Sequence, residues 1–201
     1  MFPTLKQYID QIGANTVPEN RKEVLDQLAA YIIYQQKEDK PINLNFICTH
    51  NSRRSHLGQV WAQVMASYYK IPDVLTFSGG TETTAVFPMI IKTLESQHFK
   101  VTMVDESENP LYEAAYGKDD ALYLFSKAYD DESNPTEDFA AIMTCSQADE
   151  DCPLIVGADQ RIAITYDDPK VSDGTDHQKQ TYLERSLQIA TEMKYVFSQI
   201  K

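Results

Sequence analysis

Three apolar runs, each too short for a helix, dominate this chain: NLNFIC (43–48), VLTFSGG (74–80) and FAAIMTC (139–145), with a fourth, RIAITY (161–166), near the end. Between them the apolar residues change period. Leu57, Val60, Trp61, Val64 and Met65 fall on one face of a helix over 55–69, and FPMIIKTLESQ (87–97) predicts a second. A long closing helix carries Tyr182, Leu183, Ile189, Met193, Val196, Phe197 and Ile200 inward. Strands that alternate with helices imply an α/β domain: a small central parallel sheet flanked by helices. In that class ligands lie beyond the carboxyl ends of the strands. Cys48 and Cys145 end their runs and YDDP (166–169) follows the last one, so the three should meet at one edge.

Two segments stand outside the alternation. Residues 1–41 read as helical, with Val24, Leu25, Leu28, Ile32 and Ile33 at helical spacing and Pro18 in a first turn. They form an N-terminal helical extension packed on a main domain spanning 42–201. Within that domain, FKVTMV and ALYLFSK read as strands of an inserted antiparallel hairpin at about 99–126; PLYEAAYG between them stays open between strand and loop.

With 30 acidic and 18 basic residues the formal charge is −12, which excludes nucleic acid and an anionic membrane surface as general partners. No apolar run approaches the ~20 residues that span a bilayer. The opening MFPTLKQYIDQ lacks the basic and apolar regions of a secretory signal, so a cytoplasmic, reducing setting is expected. Three cysteines are too few, and odd in number, for a secreted disulfide framework; they suggest chemistry, a metal or small buried hydrophobes.

CTHNSRRS (48–55) fits C-x5-R-S. A loop of this length between a strand and a helix N-terminus can curl its main-chain N–H groups inward into an anion cradle, aided by the helix dipole. Thr49, His50, Asn51, Ser52, Arg53, Arg54 and Ser55 would line or support it, Asn51 by bonds from its side chain to the loop. Arg54 would clamp a tetrahedral oxyanion bidentately. The same positive surroundings favour the Cys48 thiolate, to which the Ser55 hydroxyl could donate. In YDDPK (166–170) the proline holds Asp168 on an extended loop, where it could protonate a departing group; Asp167 reads as solvated. In MTCSQADEDCP (143–153) a polar, acidic spacer separates Cys145 from Cys152, and a mobile one could bring these sulfurs together or carry Cys145 to Cys48.

Together these motifs resemble the thioredoxin-coupled arsenate reductases, which share the fold of the low-molecular-weight tyrosine phosphatases. The likeness covers about 43–80 and 139–200, including FSGGTET and YDDP; it is poor at 99–126 and absent over the extension. The resemblance implies a low-molecular-weight phosphatase-like fold and an arsenate reductase with a cysteine relay. Cys48 attacks arsenate under Arg54 while Asp168 protonates the leaving hydroxyl. Cys145 then displaces arsenite, and Cys152 moves the disulfide outward to thioredoxin, or to glutaredoxin and glutathione. No metal or organic cofactor is required. His50 stands where the family has glycine, and Arg53 where a cysteine is common. The family's potassium-binding positions correspond to Asn51, Gln59, Ser78 and Lys127, with both carboxylates replaced, so no potassium site is expected and the Lys127 ammonium is a candidate substitute.

Three other readings compete. A low-molecular-weight tyrosine phosphatase would hydrolyse phosphomonoesters through a phosphocysteine, leaving Cys145 and Cys152 without a task. A zinc-ligating module would use the cysteines and a histidine at a spacing that matches no common pattern. A non-catalytic anion sensor would keep the cradle alone.

Overall fold

The structure, a computed structural model, describes residues 1–151 and 154–200. Its central sheet is formed by β1 (Ile42–Cys48), β2 (Val74–Gly80), β6 (Phe139–Met143) and β7 (Ala158–Ala163), all parallel, in the order β2-β1-β6-β7. Alternation along the strands sorts the core into two faces. Leu44, Phe46, Ala140, Ile142 and Ile162 face the larger cluster, shared with α2 (Glu19–Lys37), α3 (Arg54–Tyr69) and α6 (Gln178–Ser198). Ile47, Phe139, Ala141 and Met143 face a smaller cluster that holds Cys48, Cys145, Ile155 and Ala148 of α5 (Ser146–Asp151). Trp61 and Tyr182 are fully buried where α3 crosses α6, and the indole N–H donates to Ser186 Oγ at 2.9 Å. Gly58 lets α3 lie directly on the Phe46 ring, where any Cβ would collide with the ring carbons. No described helix is long and apolar enough to cross a membrane.

The final strand is shifted from its expected range, 161–166, to Ala158–Ala163. Its partner β6 stops at Met143, so beyond Ala163 the ladder has nothing to pair with; Tyr166 N–H still reaches Thr144 O at 3.1 Å. Residues 164–168 therefore leave the ladder and pass the carboxyl edge, which brings Asp168 to it.

The inserted segment is a three-stranded antiparallel sheet rather than a hairpin: β3 (Lys100–Met103), β4 (Tyr112–Ala115) and β5 (Ala121–Leu124), with the PLYEAAYG stretch supplying the middle strand. It follows α4 (Pro88–Ser96). The N-terminal residues are α1 (Pro3–Gln11), a 3-10 turn at Ala14–Thr16, and α2, which Pro18 precedes instead of entering. Leu5, Ile9, Leu25, Leu28 and Ile32 are fully buried in the larger cluster. The extension also meets the inserted sheet, where Phe2 N–H donates to Tyr116 O at 2.7 Å and the Lys100 ammonium lies over the Phe2 ring.

Candidate active site

Cys48 closes β1 and Arg54 opens α3, so residues 49–53 must turn from strand to helix at the carboxyl edge of the sheet. The carbonyls of this loop are all engaged from outside. Cys48 O accepts from Thr81 N–H (3.2 Å), Thr49 O from Glu82 N–H (2.8 Å), His50 O from Ser126 Oγ (3.0 Å) and Thr84 Oγ1 (3.1 Å), and Ser52 O from Phe87 N–H (3.0 Å). Asn51 O accepts from His56 Nε2 at 2.8 Å. In a planar trans peptide the N–H points opposite to the C=O, so the following amides turn toward the loop's interior, at the N-terminus of a sixteen-residue helix. The left-handed position is Asn51, at φ 43°, and His50 does not occupy it; asparagine tolerates that region better than most residues. Gly80 completes the cradle, since a Cβ there would stand 2.7 Å from both Thr49 O and Asn51 N.

A directed chain of hydrogen bonds ends on the thiol. Lys127 N–H donates to Asn51 Oδ1 (2.8 Å), which fixes the amide so that Asn51 Nδ2 donates to Ser55 Oγ (2.8 Å). Ser55 Oγ, which accepts from Asn51, lies 3.1 Å from Cys48 Sγ, and its own proton is available to donate to that sulfur. What Lys127 contributes to the loop is its main-chain N–H. Its ammonium points to Ser133 Oγ (2.9 Å) and over the Phe125 ring, and burial pushes its pKa down.

His56 stands where the sequence reading placed the ion substitute. Because Asn51 O can only accept, Nε2 carries the proton, and Nδ1 accepts from Ser78 Oγ at 3.2 Å. The ring is fully buried, and desolvation pulls its pKa down from 6.5 to about 4, with the Lys127 charge acting in the same direction and the bond to Asn51 opposing it. Between those values the unfolded chain binds a proton that the folded chain refuses. Stability should therefore fall as pH drops from 6.5 toward 4, by roughly 3 kcal/mol at most for this group. Denaturant melts at pH 7 and pH 4 check this: the loss should be smaller in His56→Gln, and identical losses in both proteins would exclude it.

Arg54 reaches over the cradle. It donates through one terminal nitrogen to Tyr166 O (2.9 Å) and through the other to Asp168 Oδ2 (2.6 Å), while its Nε is buried with no acceptor among the described residues. A buried guanidinium N–H without a partner is what a bound oxyanion would satisfy. Asp168 also accepts from Lys170 N–H (3.0 Å), and Asp167 is almost fully exposed beside Arg185. Ser52 Oγ donates to Ala85 O (2.7 Å), and His50 lies half-exposed at the mouth, 3.4 Å from Glu82.

Cys145, one residue beyond Thr144, whose N–H bonds Ile47 O at 2.7 Å, is buried with its Sγ 3.4 Å from Thr49 Oγ1. It also takes the Ala148 N–H at 3.4 Å, much as an N-cap oxygen does, at the head of α5. Arg161 bonds the carbonyl and carboxylate of Asp149, tying α5 to β7. The expected convergence of Cys48, Cys145 and the YDDP loop is thus the geometry found. Cys152 lies outside the described residues.

The architecture has known counterparts. A low-molecular-weight protein tyrosine phosphatase from T. tengcongensis superposes with a TM-score of 0.54 at 13% identity, covering 79% of this chain and 99% of that one. A low-molecular-weight phosphotyrosine phosphatase from Vibrio cholerae O395 gives 0.53 at 10% identity, covering 78% and 94%. This is the low-molecular-weight phosphatase fold. An arsenate reductase in a phosphate-binding state shares it, with a TM-score of 0.51 at 14% identity over 80% of this chain and 99% of that one. No protein-family model matches the sequence, and no curated protein matches it either. The fold is thus evident where sequence likeness is thin.

Sequence reasoning passed over His56, Ser126, Asp173 and Tyr182. A signal for the first was present. His56, Gln59 and Gln63 recur at helical spacing and meet β2 through the Ser78 and Thr76 hydroxyls and the Thr76 and Val74 carbonyls, a polar seam between the two elements. Nothing comparable marked Ser126, whose placement comes from the inserted sheet.

Proposed function

We propose that this chain is an arsenate reductase in which Cys48, Cys145 and Cys152 act in turn. The observation that carries the reading is the position of Cys145: its sulfur touches Thr49, the residue after the nucleophile, and shares one buried cluster with Cys48. Cys48 closes β1 and Cys145 follows the end of the adjacent parallel strand β6, one residue out of register with it, so a local shift of the segment after β6 is what would bring the two sulfurs together.

In this reading arsenate is held by the loop amides and Arg54. The Cys48 thiolate attacks arsenic, and a hydroxyl leaves as water with a proton from Asp168. The Cys145 thiolate then attacks Cys48 Sγ. The sulfur–arsenic electron pair stays on arsenic, which leaves as arsenite, and a Cys48–Cys145 disulfide remains. Attack of Cys152 on Cys145 frees Cys48 as thiolate, and a dithiol protein of the thioredoxin kind, or glutaredoxin with glutathione, reduces the Cys145–Cys152 pair. The relay requires motion, and α5 suits it: a helix of six residues is far below the length that holds by itself, and moving Cys145 withdraws the sulfur that caps it. Leu154 and Val156, 76% and 82% exposed just beyond Cys152, offer apolar surface for such a reductant.

The test is a disulfide map after one equivalent of arsenate, quenched with an alkylating agent. The expected products are a Cys145–Cys152 pair in the unaltered protein and a Cys48–Cys145 pair in Cys152→Ser. Recovery of all three thiols fully alkylated would defeat the reductase reading and favour ester hydrolysis on the same cradle.

A further inference from the structure

The two adjacent arginines of the nucleophile loop go to different places. We propose that Arg53 is a positioning residue that keeps the loop bearing Asp168 closed over the oxyanion site when Arg54 is occupied by the anion. This rests on the reading of Asp168 as proton donor.

The need arises from Arg54 itself. Its terminal nitrogen holds Asp168 Oδ2 at 2.6 Å. An oxyanion in the cradle competes for the same fork, so the bond that draws Asp168 inward weakens just when the proton is required. A second anchor has to lie outside the anion's reach, and Arg53 supplies one. Its Nε donates to Tyr182 Oη at 2.6 Å and a terminal nitrogen donates to Asp173 Oδ2 at 2.8 Å. Tyr182 in turn donates to Asp173 Oδ1 at 2.7 Å, closing a ring of three hydrogen bonds. The guanidinium lies 4.0 Å from the Phe87 ring centre, a cation–π contact, and that ring stacks on Tyr182.

This group is largely enclosed. The Arg53 side chain is only 12% exposed, Tyr182 is fully buried on α6, and Phe87 N–H bonds Ser52 O in the nucleophile loop. From Asp173 the restraint passes to Asp168 through a single rigid turn, Pro169–Ser172, closed by Ser172 Oγ on Pro169 O (2.8 Å) and by Asp168 Oδ1 on Lys170 N–H. Arg53 thus links the nucleophile loop, α6 and the acid loop through contacts that the anion does not touch. A lysine has no planar fork and could not serve tyrosine, carboxylate and ring face together.

Arg53→Met and the milder Asp173→Asn test this, each alone and combined with Asp168→Asn. Two readouts are used: arsenate turnover with a dithiol reductant, and amide hydrogen exchange over residues 167–176 with saturating phosphate. In the otherwise unaltered protein both variants should speed exchange in that segment and lower turnover, Arg53→Met by roughly ten- to a hundred-fold. In the Asp168→Asn background the same changes should cost little further turnover, because Arg53 acts through Asp168. Arg53→Lys should recover only part of the loss. Unchanged exchange, or losses that simply add to that of Asp168→Asn, would overturn the proposal. If Asp168→Asn alone leaves turnover intact while exchange still rises, the proton-donor reading is what has failed, and the positioning role falls with it.

Discussion

Cys145→Ser is expected to lower arsenate-dependent oxidation of a dithiol reductant by on the order of 10³-fold or more, because residues that act as one relay fail together when any of them is lost. The physical reason is specific to sulfur. Once Cys48 has formed its arsenic adduct, reduction requires a second thiolate to attack Cys48 and leave two electrons on arsenic; a serine hydroxyl cannot complete a disulfide. The substitution should leave the fold in place. The side chain is 1% exposed, and serine is slightly smaller than cysteine. Its hydroxyl can also take over the contacts with Thr49 Oγ1 and Ala148 N–H. Phosphate should therefore still protect Cys48 from iodoacetamide in the variant, as followed by peptide mass spectrometry. Undiminished arsenate reduction by Cys145→Ser would remove the relay, whereas loss of phosphate protection would mean that Cys145 chiefly shapes the loop.

Arg54→Lys is expected to cost about 10²- to 10³-fold in kcat/KM for arsenate, the usual scale for losing a preorganised donor aimed at an oxyanion. Three N–H directions are used or available on this guanidinium: to Tyr166 O, to Asp168, and the buried Nε with no protein acceptor. A lysine ammonium on a flexible stem can reach one of these at a time. The cradle itself should survive, because its carbonyls are held by Thr81, Glu82, Thr84, Phe87, Ser126 and His56, none of which depends on Arg54. A steady-state comparison of arsenate turnover, with phosphate as competitor, checks both statements. Values within a few-fold of the unaltered protein would show that Arg54 does not hold the anion.

Much of this molecule is legible in its sequence. FAAIMTC is apolar on both faces, as a strand buried on both sides must be, while NLNFIC carries Asn43 and Asn45 on one face; the two pair as adjacent parallel strands. CTHNSRRS reads as a strand-to-helix anion loop because local chemistry alone, namely small polar residues followed by an arginine and a helical period, dictates that geometry. Other features failed at the level of pairing. PLYEAAYG has weak strand character by itself and becomes the middle strand only because β3 and β5 flank it. RIAITY points three residues past the observed strand, Ala158–Ala163, because a strand's end is set by where its partner stops.

From the residue pattern alone came the layered α/β class, the sheet edge at which the candidate site lies, and the pairing of Cys48 with Arg54 across one strand-to-helix loop. These depend on hydrophobic period and on residues a few positions apart, interactions that a short segment carries within itself. Tertiary structure decided the rest. It set a neutral His56 beneath the loop between Asn51 and Ser78, turned Arg53 away from the cradle toward Asp173 and Tyr182, and used Ser126, just past the inserted sheet, to hold His50 O. Each of these joins residues from separate elements, most of them far apart in the chain. Their directions are chosen by burial, which forces every enclosed polar group to find a partner wherever the packed fold offers one.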